Sequence, residues 1–597
     1  MAQTAVTGAE AVRWDLSELF SSPDDPAIER VLADALAATQ AFEERYRGHV
    51  AELAPPAFAG MMAELARFSQ DSSLPAIYAH LLHSLDTGDA AAGRLLARVR
   101  EAGAEIGRHL VFFDLELAAL TDEQVAVLYA DPEAARYRHA VEHERRYRPH
   151  QLSEVEERLL TDLSPVGRGA WTRMFEELVA AIRVRLDGEE LPVDAALARL
   201  YDPDRAVRER TSHAVSEALR EGARTRAYIF NVLLQEKSIG DRLREYPSWI
   251  SSRNLANEAS DEAVQALVEA VTGRYDVVAR YYGVKRRLLG LDELHEWDRY
   301  APIEETSRTL DWDAAKGLVI DAYHRFSPTA GGHIETFFEK GWIDAPVLPG
   351  KQGGAFCAAA IPELHPYVLL NFTGRQRDVL TLAHELGHGL HDVLASERNH
   401  LFDFHPPLTL AETASVFGEA LTFDSIMSQE RDPAVRLGLL CHQVEDAFAT
   451  IFRQIAMNRF EDAVHTARRT QGELAPEQFG ELWQTHMQAM FGTSLTLTDD
   501  HPVWWSYVGH FVRVPGYVYA YAFGNLLAYA LYRGYRETGS AEFADAYLRF
   551  LALGGSRTPD EAVREVGLDI TDPRFWDAGL DIVADMVTEV ERLAAPR

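Results

Sequence analysis

Cysteine is almost absent from this sequence: Cys357 and Cys441 are the whole complement of 597 residues. Two thiols cannot build a disulfide framework, and so low a count suits a reducing compartment. The first twenty residues, MAQTAVTGAEAVRWDLSELF, lack a basic start followed by an apolar stretch, so no secretory signal is expected and the cytoplasm is the expected location. Long apolar runs are missing too. The nearest approach, Val514 to Tyr532, is broken by Pro515, Gly516, Gly524 and Asn525 and carries five tyrosines, whereas a membrane span needs about 20 mostly apolar residues. Positive charge is scarce: 59 Lys and Arg stand against 92 Asp and Glu, a net charge of −33 that phosphate backbones and anionic lipid surfaces would repel. Neither nucleic acid nor membrane is an expected partner, and no sequence feature specifies an oligomeric state.

What is present is helical rhythm. Apolar residues recur at helical spacing with acids and arginines between them, as in PAIERVLADALAATQAFEERYRGHVAEL from Pro26 onward. Ser153 and Glu156 in QLSEVEERLL have the form of a capping box. Alternating strand patterns are few, so a mainly α fold is expected. Two segments break the rhythm. Arg185 to Ala196, acidic with Gly188 and Pro192, reads as a hinge or boundary, which divides the chain into residues 1–195 and 196–597. Between Leu348 and Gly374, glycines punctuate short apolar runs, and Tyr367 to Phe372 reads as a buried strand of a small sheet.

Directly after that strand, Arg375 to Ser396 contains His384-Glu385-Leu386-Gly387-His388, an HExxH pattern. With this composition the string arises by chance in roughly one such chain in fifteen, so its context matters. At ~100° per residue the two histidines lie about 40° apart on one helix face, one turn from each other. Val379, Leu382, Leu386, Leu390 and Val393 gather on the opposite side, so this helix is expected to be buried on both faces. Two such imidazoles can chelate one zinc ion, and Glu385 falls beside them as a base for an attacking water.

A catalytic zinc site usually has a third protein ligand. The metzincin pattern needs Gly and His at positions that hold His391 and Leu394 here, so it fails. A carboxylate on a second helix remains. In HPPLTLAETASVFGEALTFDSIM, Glu412 and Glu419 are seven residues apart and share a face. Glu412 suits a third ligand, but Thr409-Leu410-Ala411-Glu412 equally fits a capping box that serves only its own helix end. Glu419 suits a carboxylate that orients a ligand imidazole. His391 lies on the face of His384 and His388, but three histidines over seven residues spread too far along one helix for one ion.

The stretches NFTGRQRDVLTLAHELGHGLH and LTLAETASVFGE resemble the thimet-oligopeptidase-like zinc metallopeptidases, and within them the oligoendopeptidase F branch. Further resemblances follow in the same order along the chain: Arg13-Trp14-Asp15-Leu16-Ser17, RYRPHQLSEVEERLL, LHEWDRYAPI, GGAFC, and HPVWWSYVGHFVRVPGYVYAYAFG from His501. This resemblance implies zinc held by His384, His388 and Glu412, one ion per chain, with Glu385 as general base and Glu419 behind a histidine ligand. It implies His510 and Tyr521 as groups that stabilise the transition state and Tyr517 as a substrate contact. Longer-known relatives carry a further tyrosine where this chain has Gly524, so that role does not transfer. The implied architecture is a large helical shell around a deep substrate channel, with a small sheet beside the HExxH helix and the N-terminal domain as lid. The implied substrates are short unstructured peptides, cut internally. Gly354, Ala355 and Phe356 are expected to offer a strand edge to the peptide, or else form a plain turn. Two other functions compete: an all-helical zinc carboxypeptidase, and a non-enzymatic peptide-binding scaffold, against which the intact His384, Glu385, His388 and Glu412 argue.

Overall fold

The expected helices form. In the computed structural model, which describes residues 7–303 and 309–595, helices carry most of the chain and strands are confined to two small sheets. The helix Pro26–Tyr46 starts where proline can occupy the first turn, with the Asp25 carboxylate accepting from the Ala27 N–H. Ser153 and Glu156 make the reciprocal capping box at the head of Glu154–Leu163. Among the described residues, no helix is long and apolar enough to cross a membrane.

Packing divides the chain into two units, each gathered from three separate stretches. One comprises Met1–Arg148, Arg308–Gln429 and Gly534–Leu568; the other comprises Pro149–Ser307, Glu430–Arg533 and Asp569–Arg597. This division does not follow a boundary at residue 195. The physical reason in the first unit is Trp14. Its indole N–H donates to the Trp342 carbonyl, and with Ile77 and Leu81 it packs on Tyr367 and Leu369, tying the N-terminal helices to the small sheet. Burial of several large side chains, at ~1.5–3 kcal/mol each, makes that attachment strong. Two further clusters fill the N-terminal core, one around Phe42, Phe58, Phe68, Phe112 and Phe113 and one around Phe20, Ile28, Leu32 and Tyr78.

The first unit's sheet has three short strands. Tyr367–Leu369 is central, Ile343–Asp344 pairs parallel to it, and Phe356–Ala358 pairs antiparallel on the other side. Lys351 pins the intervening loop. Its buried ammonium meets the Asp344 carboxylate at 2.6 Å and the carbonyls of Pro346 and Leu370 at 2.9 and 2.7 Å. Phe356–Ala358 is thereby held as an edge strand.

In the second unit the break near residue 190 is itself structured. Arg183–Leu186 and Glu189–Pro192 form an antiparallel hairpin, turned by Asp187 and Gly188 with φ of 51° and 86°. Two successive positive φ values define the tight reverse turn that an Asp-Gly pair favours.

Candidate metal centre

Two helices build the site. Gln376–Ser396 carries the HExxH residues and Leu408–Gln429 carries Glu412 and Glu419. The first is buried on its apolar side through Val379, Leu382, Leu386 and Leu390. The second begins at Leu408, so Thr409 already lies inside it and is buried, which is not the position of an N-cap. The helices approach closely because small residues face each other. A Cβ added to Gly387 would sit 2.4 Å from the Ala414 carbonyl oxygen, and one added to Gly418 would meet the Tyr323 hydroxyl at 1.7 Å.

This approach brings three donors together. Oε2 of Glu412 lies 3.4 Å from Nε2 of His384 and 3.6 Å from Nε2 of His388, and all three donor atoms fall within 4.8 Å of one another. These separations exceed ordinary N–H···O hydrogen bonds. They match the ~3.3–3.4 Å edges of a tetrahedron around an ion with bonds of about 2.0–2.1 Å. Two imidazole nitrogens and one carboxylate oxygen therefore fit a zinc-class ion. The outer partners are present as well: Oε2 of Glu419 is 3.4 Å from Nδ1 of His384, and the Ala411 carbonyl is a hydrogen-bond partner of His388. Each leaves the opposite ring nitrogen facing Glu412.

The electrostatics follow from burial and crowding. Burial pushes the His384 imidazole pKa down, but the carboxylates of Glu419, Glu412 and Glu385 outweigh it and lift it to about 9. Burial, reinforced by the His384 charge, takes His388 down to about 4. For Glu412, burial raises the pKa but the two histidines prevail and hold it below the usual carboxylate range. Glu385 is buried, and burial together with the Glu412 charge raises it to about 7, against the pull of His384 and the Cys357 backbone N–H.

These residues wall a cavity of about 450 Å³, together with Ala355–Ala359, His391, Asp392, His405, Pro406 and Ala411. Ala355, Phe356 and the edge strand thus border the metal donors. Gly354 precedes the strand with φ of 83°, and its carbonyl accepts from the Asn371 side chain at 2.8 Å. His391 is buried in the cavity wall but outside the three-donor cluster, and burial takes its pKa to about 3. Sequence reasoning passed over Cys357 and Asp392. The Cys357 thiol donates to Oδ2 of Asp392 at 3.8 Å. The available signal was spacing, since Asp392 stands four residues after His388 and therefore on its face.

His510, Tyr517 and Tyr521 lie together in the second unit. The His510 ring is 6.0 Å from Tyr517 and nearly parallel to it, its Nε2 is 3.3 Å from the Tyr521 hydroxyl, and the tyrosine rings meet edge-on at 5.0 Å. Tyr517 sits in the turn just before the helix that starts at Tyr519, while the Tyr519 hydroxyl is buried and accepts from Asn257.

The stretch that holds both helices matches a known peptidase family. The model of peptidase family M3 matches residues 321–582, which contain both metal-donor helices, and the model described as Oligopeptidase F matches residues 116–183. This catalytic stretch carries the pattern of peptidase family M3. Among curated proteins, group B oligopeptidase PepB of Streptococcus agalactiae is 26% identical over 98% of both chains. Oligopeptidase PepF of Bacillus subtilis is 26% identical over 86% of this chain and 78% of its own. A crystal structure from Chlamydophila abortus superimposes with a TM-score of 0.87 at 22% identity, covering 98% of each chain. Oligoendopeptidase F from Enterococcus faecium does so with a TM-score of 0.73 at 21% identity, over 96% of this chain and 99% of its own. Both share the fold.

Proposed function

We propose that this M3 peptidase is a zinc-dependent oligoendopeptidase that hydrolyses internal bonds of short, unstructured peptides. The observation that carries the reading is the cavity in which His384, His388 and Glu412 converge beside the Glu385 carboxylate and an open strand edge. His384, His388 and Glu412 would hold one zinc ion, which supplies Lewis-acid polarisation of the scissile carbonyl and acidifies the attacking water. Zinc is favoured over other divalent ions by the N, N, O donor set. Glu419 positions His384 by accepting from its outer nitrogen.

The chain's own groups move the proton. Glu385 takes it as water oxygen attacks the carbonyl carbon, and returns it to the amine nitrogen as the C–N bond breaks. Buried beside the donors in the same cavity, Glu385 is placed for that double task. The peptide lies along the edge strand Phe356–Ala358, with Gly354, Ala355 and Phe356 as its contacts, so main-chain pairing binds many sequences. The resemblance noted in the sequence implies that Tyr517 contacts substrate and that the Tyr521 hydroxyl and His510 imidazole donate to the developing oxyanion, a contribution of ~10²–10³ in turnover for such a donor. The curated relatives named oligopeptidases support short peptides as substrates, and two free cysteines support the cytoplasm.

Peptides blocked at both ends test this. Mass spectrometry should find internal cuts that a chelator abolishes and zinc restores. Glu412→Ala should lose both metal and cutting; retention of zinc with full activity would refute its role.

A further inference from the structure

The wall of the metal-donor cavity has a carboxyl group that the mechanism leaves unused. Asp392 follows His388 by four residues and Glu385 by seven, so its side chain stands on the same helix face, one turn further along. With Cys357, His391, His405 and Pro406 it lines the cavity, and it is only partly buried. None of the described lining residues is lysine or arginine. The two histidines of this wall carry no compensating charge at neutral pH, because burial takes His391 to about 3 and lowers His405. The contact to Asp392 is the Cys357 thiol at 3.8 Å, a weak donor for a carboxylate able to accept about four hydrogen bonds. Burial accordingly raises Asp392 to about 7. Apart from the metal site, the wall offers this carboxylate no cation, so a cationic partner that arrives with the ligand would offset its burial.

We infer that Asp392 makes this end of the catalytic cavity a subsite for a cationic group of the peptide, either a lysine or arginine side chain or a free α-ammonium. The inference rests on the peptidase reading above and names its substrate class. A thiol partner alone does not explain a carboxylate here, since a serine or asparagine would accept from Cys357 without the cost of burying a charge. A guanidinium or ammonium would form charge-assisted hydrogen bonds with Asp392, and the net charge of −33 favours the approach of cationic peptides.

The test uses the zinc-loaded full chain and peptides blocked at both ends, in pairs that differ only by arginine against citrulline, or lysine against norleucine, at successive positions around the cut. A parallel set carries neutral side chains and a free or acetylated N-terminus. At one position, or for the free N-terminus, kcat/KM should favour the cationic member by about tenfold or more, and Asp392→Asn should bring that ratio close to one. Which set shows the ratio tells a side chain from an α-ammonium. Ratios near one throughout in the wild type, or a ratio that survives in Asp392→Asn, would overturn the subsite. If the variant fails to fold, the wild-type pairs still decide. Absence of any cutting of blocked peptides would instead defeat the endopeptidase reading itself.

Discussion

Gly387 sets the distance between the two metal-donor helices, and Gly387→Ala is the sharpest perturbation of the site that leaves every donor in place. The added Cβ would stand 2.4 Å from the Ala414 carbonyl oxygen and 2.6 Å from the Ser415 Cα. Both are backbone atoms, so no side chain can swing aside, and restoring ordinary contact of about 3.4 Å requires the helices to separate by roughly 1 Å. Glu412 precedes this contact by less than one turn. The 3.4 and 3.6 Å separations of its oxygen from the imidazole nitrogens would grow beyond 4 Å on average. One ion with bonds of about 2 Å cannot then be shared by all three donors in tetrahedral geometry.

The expected result is an overpacking cost of ~1–3 kcal/mol and zinc binding weakened by at least about tenfold. Metal per chain should be measured after dialysis against buffered chelators, with helicity and Tm by circular dichroism, and kcat/KM followed as zinc is added back. Activity should track occupancy and recover partly with excess zinc. Gly332→Ala is the control, since a Cβ there meets nothing within 4 Å inside a helix. If Gly387→Ala binds zinc as tightly as the wild type with unchanged Tm, close approach at this glycine does not set the donor geometry.

Glu385→Gln should keep zinc near one per chain while turnover collapses; retained turnover in this variant would exclude Glu385 as the base. Glu419→Gln should weaken zinc binding by ~10–100-fold with little change in overall helicity, and metal titration against a competing chelator reads it directly. The channel implied by the family resemblance gives another expectation: if such a site closes over its substrate, ten-residue peptides should be cut far faster per bond than casein at matched concentration. Equal chelator-sensitive rates would refute the enclosed channel and leave the metal chemistry standing.

Periodicity and short motifs reveal what is local. Helical spacing discloses the mainly α fold, and the face shared by His384 and His388 is fixed by 3.6 residues per turn. The apolar face of the same helix is equally readable in Val379, Leu382, Leu386 and Leu390, all fully buried. Local rules stop at the second helix. Thr409 to Glu412 satisfies a capping pattern, yet the helix starts at Leu408, after Pro406 and Pro407, and two residues of displacement turn the pattern into a buried hydroxyl and a carboxylate facing two histidines. The hairpin at Asp187-Gly188 was readable, for Asp-Gly between short apolar alternations is a strong turn signal, but its strands are four residues long and half exposed. The assignment of the N-terminal helices depends on Trp14 meeting Trp342 and Tyr367, contacts more than 300 residues apart that no local rule encodes.

Glu461 extends the electrostatic argument to the turn that carries Tyr517. Its side chain is buried at 1% exposure, one oxygen accepts the Gly516 N–H at 2.9 Å, and the other has no hydrogen-bond partner among the described residues. Gly516 holds φ of 75°, so the turn before Tyr517 depends on glycine and on this carboxyl. Burial raises Glu461 from near 4.5 to about 8, against the Gly516 amide and Arg253. In the unfolded chain the group loses its proton near 4.5, so between that value and about 8 the folded state binds more protons and stability falls as pH rises. The contribution is complete below the lower pKa and lost above the higher one, a span worth a few kcal/mol at ~1.4 kcal/mol per pH unit. Glu461→Gln keeps an oxygen for Gly516 and removes the titration, while its amide adds a pH-independent cost. Thermal unfolding from pH 5.5 to 9 should therefore show the wild type losing Tm relative to the variant as pH rises, the curves converging or crossing near pH 8. Parallel curves over that range would mean that Glu461 is not the buried proton holder and that the turn at Gly516 stands without it.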